Sequence, residues 1–319
     1  MKRTLLMFAF SLVLLCAAGS VRAQSCSASV SPVSFGSVSP ISGAAVTSSG
    51  SVSVTCTWPA VTFTPTVLVC LNLGGTSPRT MTNGTSQLRY DLYRDAAHTL
   101  PWGSVYSGTT PISLTMTKPA GTTLTQTVPF YGQITAAQPT VPTVGNATTA
   151  YTQSFGGNQT AINYEFYLLG APSCSSLTSS GGTFAFSANA NVVNNCNISA
   201  TSVAFGAAGV LASALRATGT ITAQCTNGDA FRIALNGGAS GNVAARAMQR
   251  SGGGGSVGYQ LYLDSAYGSA WGDGTGGTAM ATGTGSGAQQ VFTVYGQVPA
   301  QGTPAPGSYS DTITATISF

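Results

Sequence analysis

Charged side chains are scarce in this sequence: only 6% of its 319 residues are Asp, Glu, Lys or Arg, against roughly 25% in an ordinary soluble domain. Seven acidic residues and one histidine, His98, leave little from which to build a general acid/base pair or a metal site. Three of the 11 basic residues lie in the targeting segment described next, so eight basic residues face seven acidic ones elsewhere. The composition predicts a protein that is not an enzyme, has no cofactor and binds no nucleic acid.

No apolar run is long enough to cross a bilayer as a helix, which takes roughly 20 residues. The longest, at residues 5–18, follows basic residues at positions 2 and 3 and precedes Val-Arg-Ala at 21–23. This order is typical of a secretory signal, so we predict a signal peptide over residues 1–23 and export through the periplasm. A lipoprotein signal at Cys16 is disfavoured because Leu15 is not the small residue expected there.

The sequence contains no CxxC motif and only one histidine, so it does not offer the set of ligands that a zinc site requires. Loss of Cys16 with the signal peptide leaves an even number of cysteines in an oxidising compartment, which predicts three disulfides. The six are Cys26, Cys56, Cys70, Cys174, Cys196 and Cys225.

The second half of the chain repeats the first at an offset of about 170 residues. Five motifs occur in the same order in both halves: Cys before Phe-Gly, a Gly-start run ending in Cys, Tyr-x-Leu-Tyr-x-Asp, Trp-Gly and Tyr-Gly-Gln. They begin at Cys26, Gly50, Tyr90, Trp102 and Tyr131, and again at Cys196, Gly219, Tyr259, Trp271 and Tyr295. Two domains of about 140–150 residues follow.

Within each copy, apolar and polar residues alternate at period two, as at Tyr259, Leu261 and Leu263, and Gly, Ser, Thr and Asn clusters separate the runs. Short strands joined by glycine-rich turns predict an all-β fold, an antiparallel sandwich of immunoglobulin type in each copy.

The duplication also limits cysteine pairing. Cys26–Cys56 and Cys196–Cys225 stand at matching positions, so each pair is expected to join the first strand of its domain to the second. Each would contribute about 3 kcal/mol by the loop-entropy model. Cys70 and Cys174 have no counterparts in the second copy and are expected to pair with each other.

Together these motifs resemble the spore coat protein U domain family, which includes subunits of Csu-type archaic chaperone–usher pili. The five motifs and the ending at 308–319 carry the resemblance over nearly all of residues 24–319. It implies pilin-type immunoglobulin-like domains, a periplasmic pilus chaperone, an outer-membrane usher and donor-strand exchange with an adjacent pilin subunit. A two-domain member is similar to the tip adhesin, which implies hydrophobic loops that bind hydrophobic or abiotic surfaces during biofilm formation.

An alternating strand lies between the two copies at residues 183–193, long enough to fill one strand position. We predict that it completes the first domain as its final strand. The boundaries are then 24–182, 183–193 for the donor-type strand and 194–319. The alternative is that it is the first strand of the second domain. Its one-face residues are Phe184, Phe186, Ala188, Ala190 and Val192.

The second copy stops on the strand that begins near Tyr309, so it has no residues left for a last strand. Such a domain exposes a sheet edge and an unfilled groove, which a strand from another chain would complete. We predict an acceptor domain that a chaperone, and then a neighbouring pilin, would hold. The alternative for Phe319 is an ordinary buried C-terminal strand. The predicted chaperone-facing residues are Ile313, Ala315, Ile317 and Phe319.

Only Gln24 and Ser25 stand between the predicted cleavage site and Cys26. We therefore expect no N-terminal donor strand. A subunit that accepts a strand and donates none would end a fibre at the pilus tip on the cell surface.

Loops of the first copy are longer and more apolar than their counterparts. The run after Cys56 is five residues longer than the run after Cys225, and a second insertion occupies residues 135–150. The first loop either folds under the domain or protrudes as a finger, and we expect it beside the turn at 156–157. Candidate surface-binding residues are Trp58, Pro59, Val61 and Phe63 in the first loop, and Val141 and Val144 in the second.

Three classes of function fit these observations: a pilus-tip adhesin, a structural spore-coat or envelope protein, and a secreted carbohydrate-binding module. A sugar site would use Tyr93 and Trp102, but both have counterparts in the second copy, Tyr262 and Trp271, which indicates core structure. The pilus-tip adhesin is the function we expect.

Overall fold

The computed structural model describes residues 24–177 and 179–319, and the predicted signal peptide at 1–23 lies outside the described residues. Strands form nearly all of the regular structure, so the all-β expectation is confirmed. No helix in the two described ranges is long and apolar enough to cross a bilayer. The helices are short 3-10 turns at Val105–Ser107, Gly157–Gln159, Cys174–Ser176 and Gly238–Ser240.

The first domain contains strands β1 to β12. Eight form one sheet in the order β1-β3-β8-β6-β5-β9-β12-β2, and four form a second in the order β11-β10-β4-β7. Their bounds are β1 Ser25–Val30, β2 Val33–Val38, β3 Val46–Thr57, β4 Thr66–Leu73, β5 Arg79–Asn83, β6 Ser86–Tyr93, β7 Ile112–Thr117, β8 Thr123–Ile134, β9 Thr149–Phe155, β10 Thr160–Tyr167, β11 Ser179–Ser180 and β12 Phe186–Val192.

Strand β12 is inserted between β9 and β2. It runs antiparallel to β9, with Phe186 opposite Phe155 and Val192 opposite Thr149, and parallel to β2. The segment therefore completes the first domain, in the position that the sequence predicted, and is not a strand of the second. All its one-face residues are buried: Phe184, Phe186, Ala188, Ala190 and Val192.

The core of the first domain surrounds Trp102, which is fully buried. Its Nε1 donates a hydrogen bond to the Leu71 carbonyl oxygen at 2.8 Å. Its ring stacks on Phe184 and Phe186 at centroid distances of 6.0 Å. Trp102 is thus a core residue, and β12 supplies part of that core.

The second domain contains strands β13 to β21, in sheets of order β13-β14-β19-β17-β16-β20 and β18-β15-β21. Trp271 repeats the role of Trp102, because its Nε1 donates to the Ile233 carbonyl oxygen at 2.9 Å. The bounds are β13 Cys196–Ala200, β14 Leu215–Cys225, β15 Ala230–Leu235, β16 Arg246–Arg250, β17 Ser256–Tyr262, β18 Ala281–Thr284, β19 Gln289–Val298, β20 Tyr309–Ser310 and β21 Ala315–Ser318.

All three predicted disulfides are present. Cys26–Cys56 and Cys196–Cys225 each join directly opposed residues of the first two paired strands in their domains, β1 with β3 and β13 with β14. Cys70–Cys174 is confined to the first domain and joins positions 104 residues apart. It fixes the segment after β10 against β4.

Candidate functional site

An open groove in the second domain occupies the place where the first domain holds β12. It has a volume of about 510 Å³ and runs between residues 200–205 and residues 309–313. None of the described residues forms a strand between these two segments.

The pairing pattern identifies the groove walls with β2 and β9. In the first domain Thr82 of β5 pairs with Thr152 of β9, and in the second Gln249 of β16 pairs with Ser310 of β20. The other wall includes residues 203–208, which stand at an offset of 170 from β2. The groove is therefore the position of a β12 counterpart.

Side chains at the groove are less buried than their counterparts in the first domain. Phe35 is 6% exposed and Phe155 is 3% exposed, because β12 covers both. The equivalent Phe205 and Ile313 are only half-buried against the second core. The second core thus lacks its covering layer on this side.

The predicted chaperone-facing residues do not all lie at the groove. Ile313 lines it, whereas Ala315 and Ile317 belong to β21 and pair with β15 in the other sheet. Phe319 follows that strand and is 53% exposed. The edge that borders the groove is therefore the run 309–313 rather than β21, because the chain changes sheets at Thr314.

The apolar loop after β3 is partly folded under the domain and partly protruding. Trp58 is fully buried and its ring meets Phe166 edge-on at 5.5 Å, so its prediction as a surface-binding residue is wrong. Val61 is 81% exposed and Phe63 is 87% exposed, while Pro59 is partly exposed. The loop is anchored at its base and protrudes at its middle.

A second apolar loop lies at the same end of the smaller sheet. Thr66 pairs with Tyr167, so the chain before β4 and the chain after β10 leave the sheet together. Leu168 and Leu169, which follow directly, are 59% and 86% exposed. Two consecutive leucines directly after a predicted strand could have indicated an apolar loop, but these two residues were not among the predicted surface-binding residues. We call Val61, Phe63, Leu168 and Leu169 the apolar tip.

Gln24 fixes the first loop of the apolar tip. Its Nε2 donates to the hydroxyl oxygens of Thr62 at 3.0 Å and Thr64 at 2.9 Å. At the other end of the loop, the Trp58 backbone nitrogen donates to the Thr122 carbonyl at 2.8 Å. The exposed Phe63 is therefore presented on a tethered loop, which lowers the entropy lost on contact.

The insertion at 135–150 lies between the two domains. Val141 is 3% exposed, Pro142 forms a bridge with Asn227, and Asn146 exchanges two hydrogen bonds with the Ala230 backbone at 2.7 and 2.9 Å. Val141 itself is buried in the first-domain core, so its prediction as a surface-binding residue is wrong. Val144 is 61% exposed but stands on this docked loop.

Asp229 is fully buried at the contact between the domains. The Thr143 hydroxyl donates to its Oδ1, while its Oδ2 has no partner among the described residues. Burial raises the pKa of the Asp229 carboxyl, and the hydrogen bond from Thr143 only partly offsets that rise. The contact therefore contains a carboxyl that is harder to ionise than usual.

The turn at 156–157 is not beside the Trp58 loop. In the pairing of β4 with β10, Thr66 is opposite Tyr167 and Leu73 is opposite Thr160. The Trp58 loop precedes Thr66 and the turn precedes Thr160, so they lie at opposite ends of this strand pair. The expectation of a shared end is wrong because β4 and β10 run antiparallel, so the loops that precede these two strands lie at opposite ends of the pair.

The family model of the Spore Coat Protein U domain matches this chain over residues 12–152 and 182–316. The two matched ranges correspond to the two copies of the duplicated module. Comparison with curated proteins gives no match.

Among solved structures, the chain is similar to one in the CsuC–CsuE chaperone–tip adhesion subunit pre-assembly complex from archaic chaperone–usher Csu pili of Acinetobacter baumannii. The identity is 17%, the TM-score is 0.51, and 93% of this chain and 100% of that chain are covered. This likeness supports the fold.

Two tip adhesins give weaker matches. The CupB6 tip adhesin of Pseudomonas aeruginosa has 9% identity and a TM-score of 0.35, covering 92% of this chain and 94% of that one. CfaE, the adhesive subunit of CFA/I fimbria of enterotoxigenic Escherichia coli, has 8% identity and a TM-score of 0.32, covering 90% and 92%. TM-scores below 0.5 add nothing to the fold assignment.

Proposed function

The chain belongs to the Spore Coat Protein U domain family, and from that premise we propose that it is an exported pilus-tip adhesin subunit of a chaperone–usher pathway. The observation that carries the proposal is the contrast between a first domain closed by β12 and a second domain with an open groove at the same position. A periplasmic chaperone strand would fill that groove first, and a strand of the adjacent pilin would replace it at the usher.

The groove would take up a β-strand, because it has both unpaired backbone edges and incompletely buried apolar side chains. Residues 201–208 and 311–314 have no strand partner on the groove side among the described residues. Half-buried apolar side chains, including Val203 and Ile313, line it. An alternating apolar strand supplies backbone partners and fills the apolar layer together, which is the mode called β-strand addition.

Attachment would use the apolar tip of the first domain. Complete burial of a Val, Leu or Phe side chain is worth roughly 1.5–3 kcal/mol, so four exposed ones represent a gross gain of about 6–12 kcal/mol. Ordering and binding costs reduce this to weak adhesion per subunit. Many pili on one cell would turn weak contacts into firm attachment to a hydrophobic surface and hence into biofilm.

The test of adhesion is a double substitution, Phe63→Ser with Leu169→Ser, in piliated cells on polystyrene. Both side chains are more than 80% exposed, so folding and pilus number should be unchanged while attachment falls. Val291→Ser in the second domain is a matched control, because Val291 is 64% exposed but outside the tip. Unchanged attachment at normal pilus number would contradict the proposal.

The test of assembly is co-expression with and without the pathway's chaperone. We expect a soluble 1:1 complex with the chaperone, and aggregation or proteolysis without it, since the groove exposes apolar side chains. A stable monomer obtained without the chaperone would overturn the acceptor role and leave the adhesion test unaffected.

A further inference from the structure

A polar cleft on the first domain lies at the other end of the smaller sheet from the apolar tip. It has a volume of about 360 Å³, within the range of small-molecule sites. None of its lining side chains is charged. The lining residues are Asn72, Ser104, Tyr106, Gly157, Asn158, Gln159, Thr160, Ala161, Ser180, Gly182 and Thr183.

Two buried asparagines support this cleft: Asn72 lines it, and Asn163 contacts the lining residues Asn72 and Tyr106. Asn72 is 1% exposed and Asn163 is 5% exposed, and the Asn72 Nδ2 donates to the Asn163 Oδ1 at 2.9 Å. The Asn72 Oδ1 accepts from the Val105 backbone nitrogen at 3.0 Å. The Asn163 Oδ1 also accepts from the Tyr106 hydroxyl at 2.9 Å, so Asn163 links Asn72 to Tyr106.

Tyr106 lies next to these amides and is 70% exposed. Its hydroxyl donates to the Asn163 Oδ1 at 2.9 Å, which holds the ring in one orientation. An exposed and oriented aromatic ring beside amide groups gives an apolar face and a polar edge together. The fold itself gains little from Tyr106 at this position, because an exposed tyrosine buries little apolar area.

The second domain lacks this arrangement at the equivalent positions. Trp102 bonds to Leu71 as Trp271 bonds to Ile233, which makes Ala234 the counterpart of Asn72. The Trp-Gly loops have the same length, closed by Gly103 to Thr110 and by Gly272 to Ala279, which makes Thr275 the counterpart of Tyr106.

The third equivalence comes from strand pairing. Ile162 is opposite Leu71 and Ile317 is opposite Ile233, so Ser318 is the counterpart of Asn163. The cleft wall at Gly157–Gln159 is an insertion, because seven positions separate Phe155 from Ile162 and only four separate Ile313 from Ile317. The core framework is common to both domains, whereas the cleft residues belong to the first alone.

The remaining wall is held covalently. Cys174 is bonded to Cys70, which pairs with Asn163 across the strands. Ser179 and Ser180 then pair with Tyr164 and Asn163. The cleft is thus pre-formed, and a ligand would lose little free energy in ordering it.

We propose that this cleft binds a neutral saccharide unit through the ring of Tyr106 and the amide side chains of Asn158 and Gln159, while Asn72 and Asn163 hold Tyr106 in place. The uncharged lining disfavours phosphate, carboxylate and cationic ligands. The mixture of amide donors and acceptors suits hydroxyl groups, and the Tyr106 ring suits the C–H face of a pyranose. The first domain would then bind neutral glycans at the cleft as well as apolar surfaces at the tip.

The test is binding of the full chain, complexed with its chaperone, to immobilised neutral oligosaccharides ending in glucose, galactose, mannose or N-acetylglucosamine. Sialylated and sulfated versions serve as anionic comparators. We expect binding of at least one neutral class. Tyr106→Thr and Asn163→Ser, which introduce the second-domain residues, should weaken it about tenfold or more, with thermal unfolding of Tyr106→Thr unchanged.

The double substitution Phe63→Ser with Leu169→Ser separates this site from the apolar tip, because it should lower tip adhesion while leaving saccharide binding intact. Tyr106→Thr should do the reverse. The proposal is overturned if no neutral saccharide binds at up to about 10 mM, a limit that covers weak recognition. It is also overturned if anionic glycans are preferred or if Tyr106→Thr binds as well as the unaltered chain.

Discussion

Met81 in the first domain and Met248 in the second hold equivalent positions, two residues after the arginine that begins their strand. Met81 is fully buried, whereas Met248 is half-buried and lines the groove. The side chain is the same and only the covering layer differs. The closed domain therefore differs from the open one by one inserted strand rather than by a different set of core residues.

The largest effect should come from removing β12. Replacing residues 184–192 by a Gly/Ser segment of equal length would make the first domain resemble the second. It would expose Phe184, Phe186 and Val192, which represent roughly 5–9 kcal/mol of burial, comparable with the whole stability of a domain. We expect the first domain to be unfolded in hydrogen-exchange measurements. Retained protection there would show that β12 is not what closes it.

The converse change should stabilise the second domain. A copy of residues 183–193, appended after Phe319 through a linker as long as segment 168–185, would reach the groove as β12 reaches its own site. We expect this fusion to stay soluble without the chaperone, and its second-domain transition to lie about 10 °C or more above that of the control fusion. The same fusion with Asp at both Phe positions is the control. Equal melting of the two fusions would contradict the groove assignment.

Loss of the bridge found only in the first domain should have a smaller effect. The double substitution Cys70→Ala with Cys174→Ala should cost about 2–4 kcal/mol in the first-domain transition and leave the second-domain transition in place. Removing Cys196–Cys225 should do the opposite. If both variants lower the same transition in calorimetry, the two domains do not unfold as separate units.

The smallest effect concerns the contact that joins the domains. Because burial raises the pKa of Asp229 above its ordinary 3.8, the folded state binds the proton more tightly than the unfolded state. The stabilisation is therefore present at low pH and is lost as pH rises through the raised pKa. Asp229→Asn should remove this loss, with an effect on the order of 1 kcal/mol or less, measured by thermal unfolding between pH 4 and 7.

Asp264→Asn is a control of opposite sign. Backbone hydrogen bonds from Gly268 and Ser269 hold the pKa of Asp264 below its usual value, so its stabilisation is lost as pH falls. A parallel pH response of the Asp229 and Asp264 variants would contradict the assignment of the Asp229 effect to burial.

Parts of the site were available in the sequence and others were not. The five alternating residues of 183–193 predicted a strand, whereas its assignment to the first domain competed with the alternative that it is the first strand of the second. Trp58 was also decidable: it continues the even-numbered inward positions Val52, Val54 and Cys56 of β3, so its burial follows from the pleat. The exposure of Phe63 follows from no local pattern, because it lies beyond the strand.

The burial of Val141 depends on the first-domain core, where it packs with residues from strands that lie far from it in the chain. Pairing of β4 with β10 likewise brings the tip loops together and separates the 156–157 turn from them. Such contacts join distant segments, and a residue's neighbours in sequence carry no record of them.

The duplication, the strand alternation, the three disulfides and the strand between the copies could all be predicted from the sequence, because the pleat and the cysteine spacing are local properties. Folding in three dimensions sets which apolar residues are covered, which residues border the groove, and that Asn72, Tyr106 and Asn158 line one cleft. Burial is a property of the assembled layers, and each face acquires its partner only when strands far apart in the chain pair.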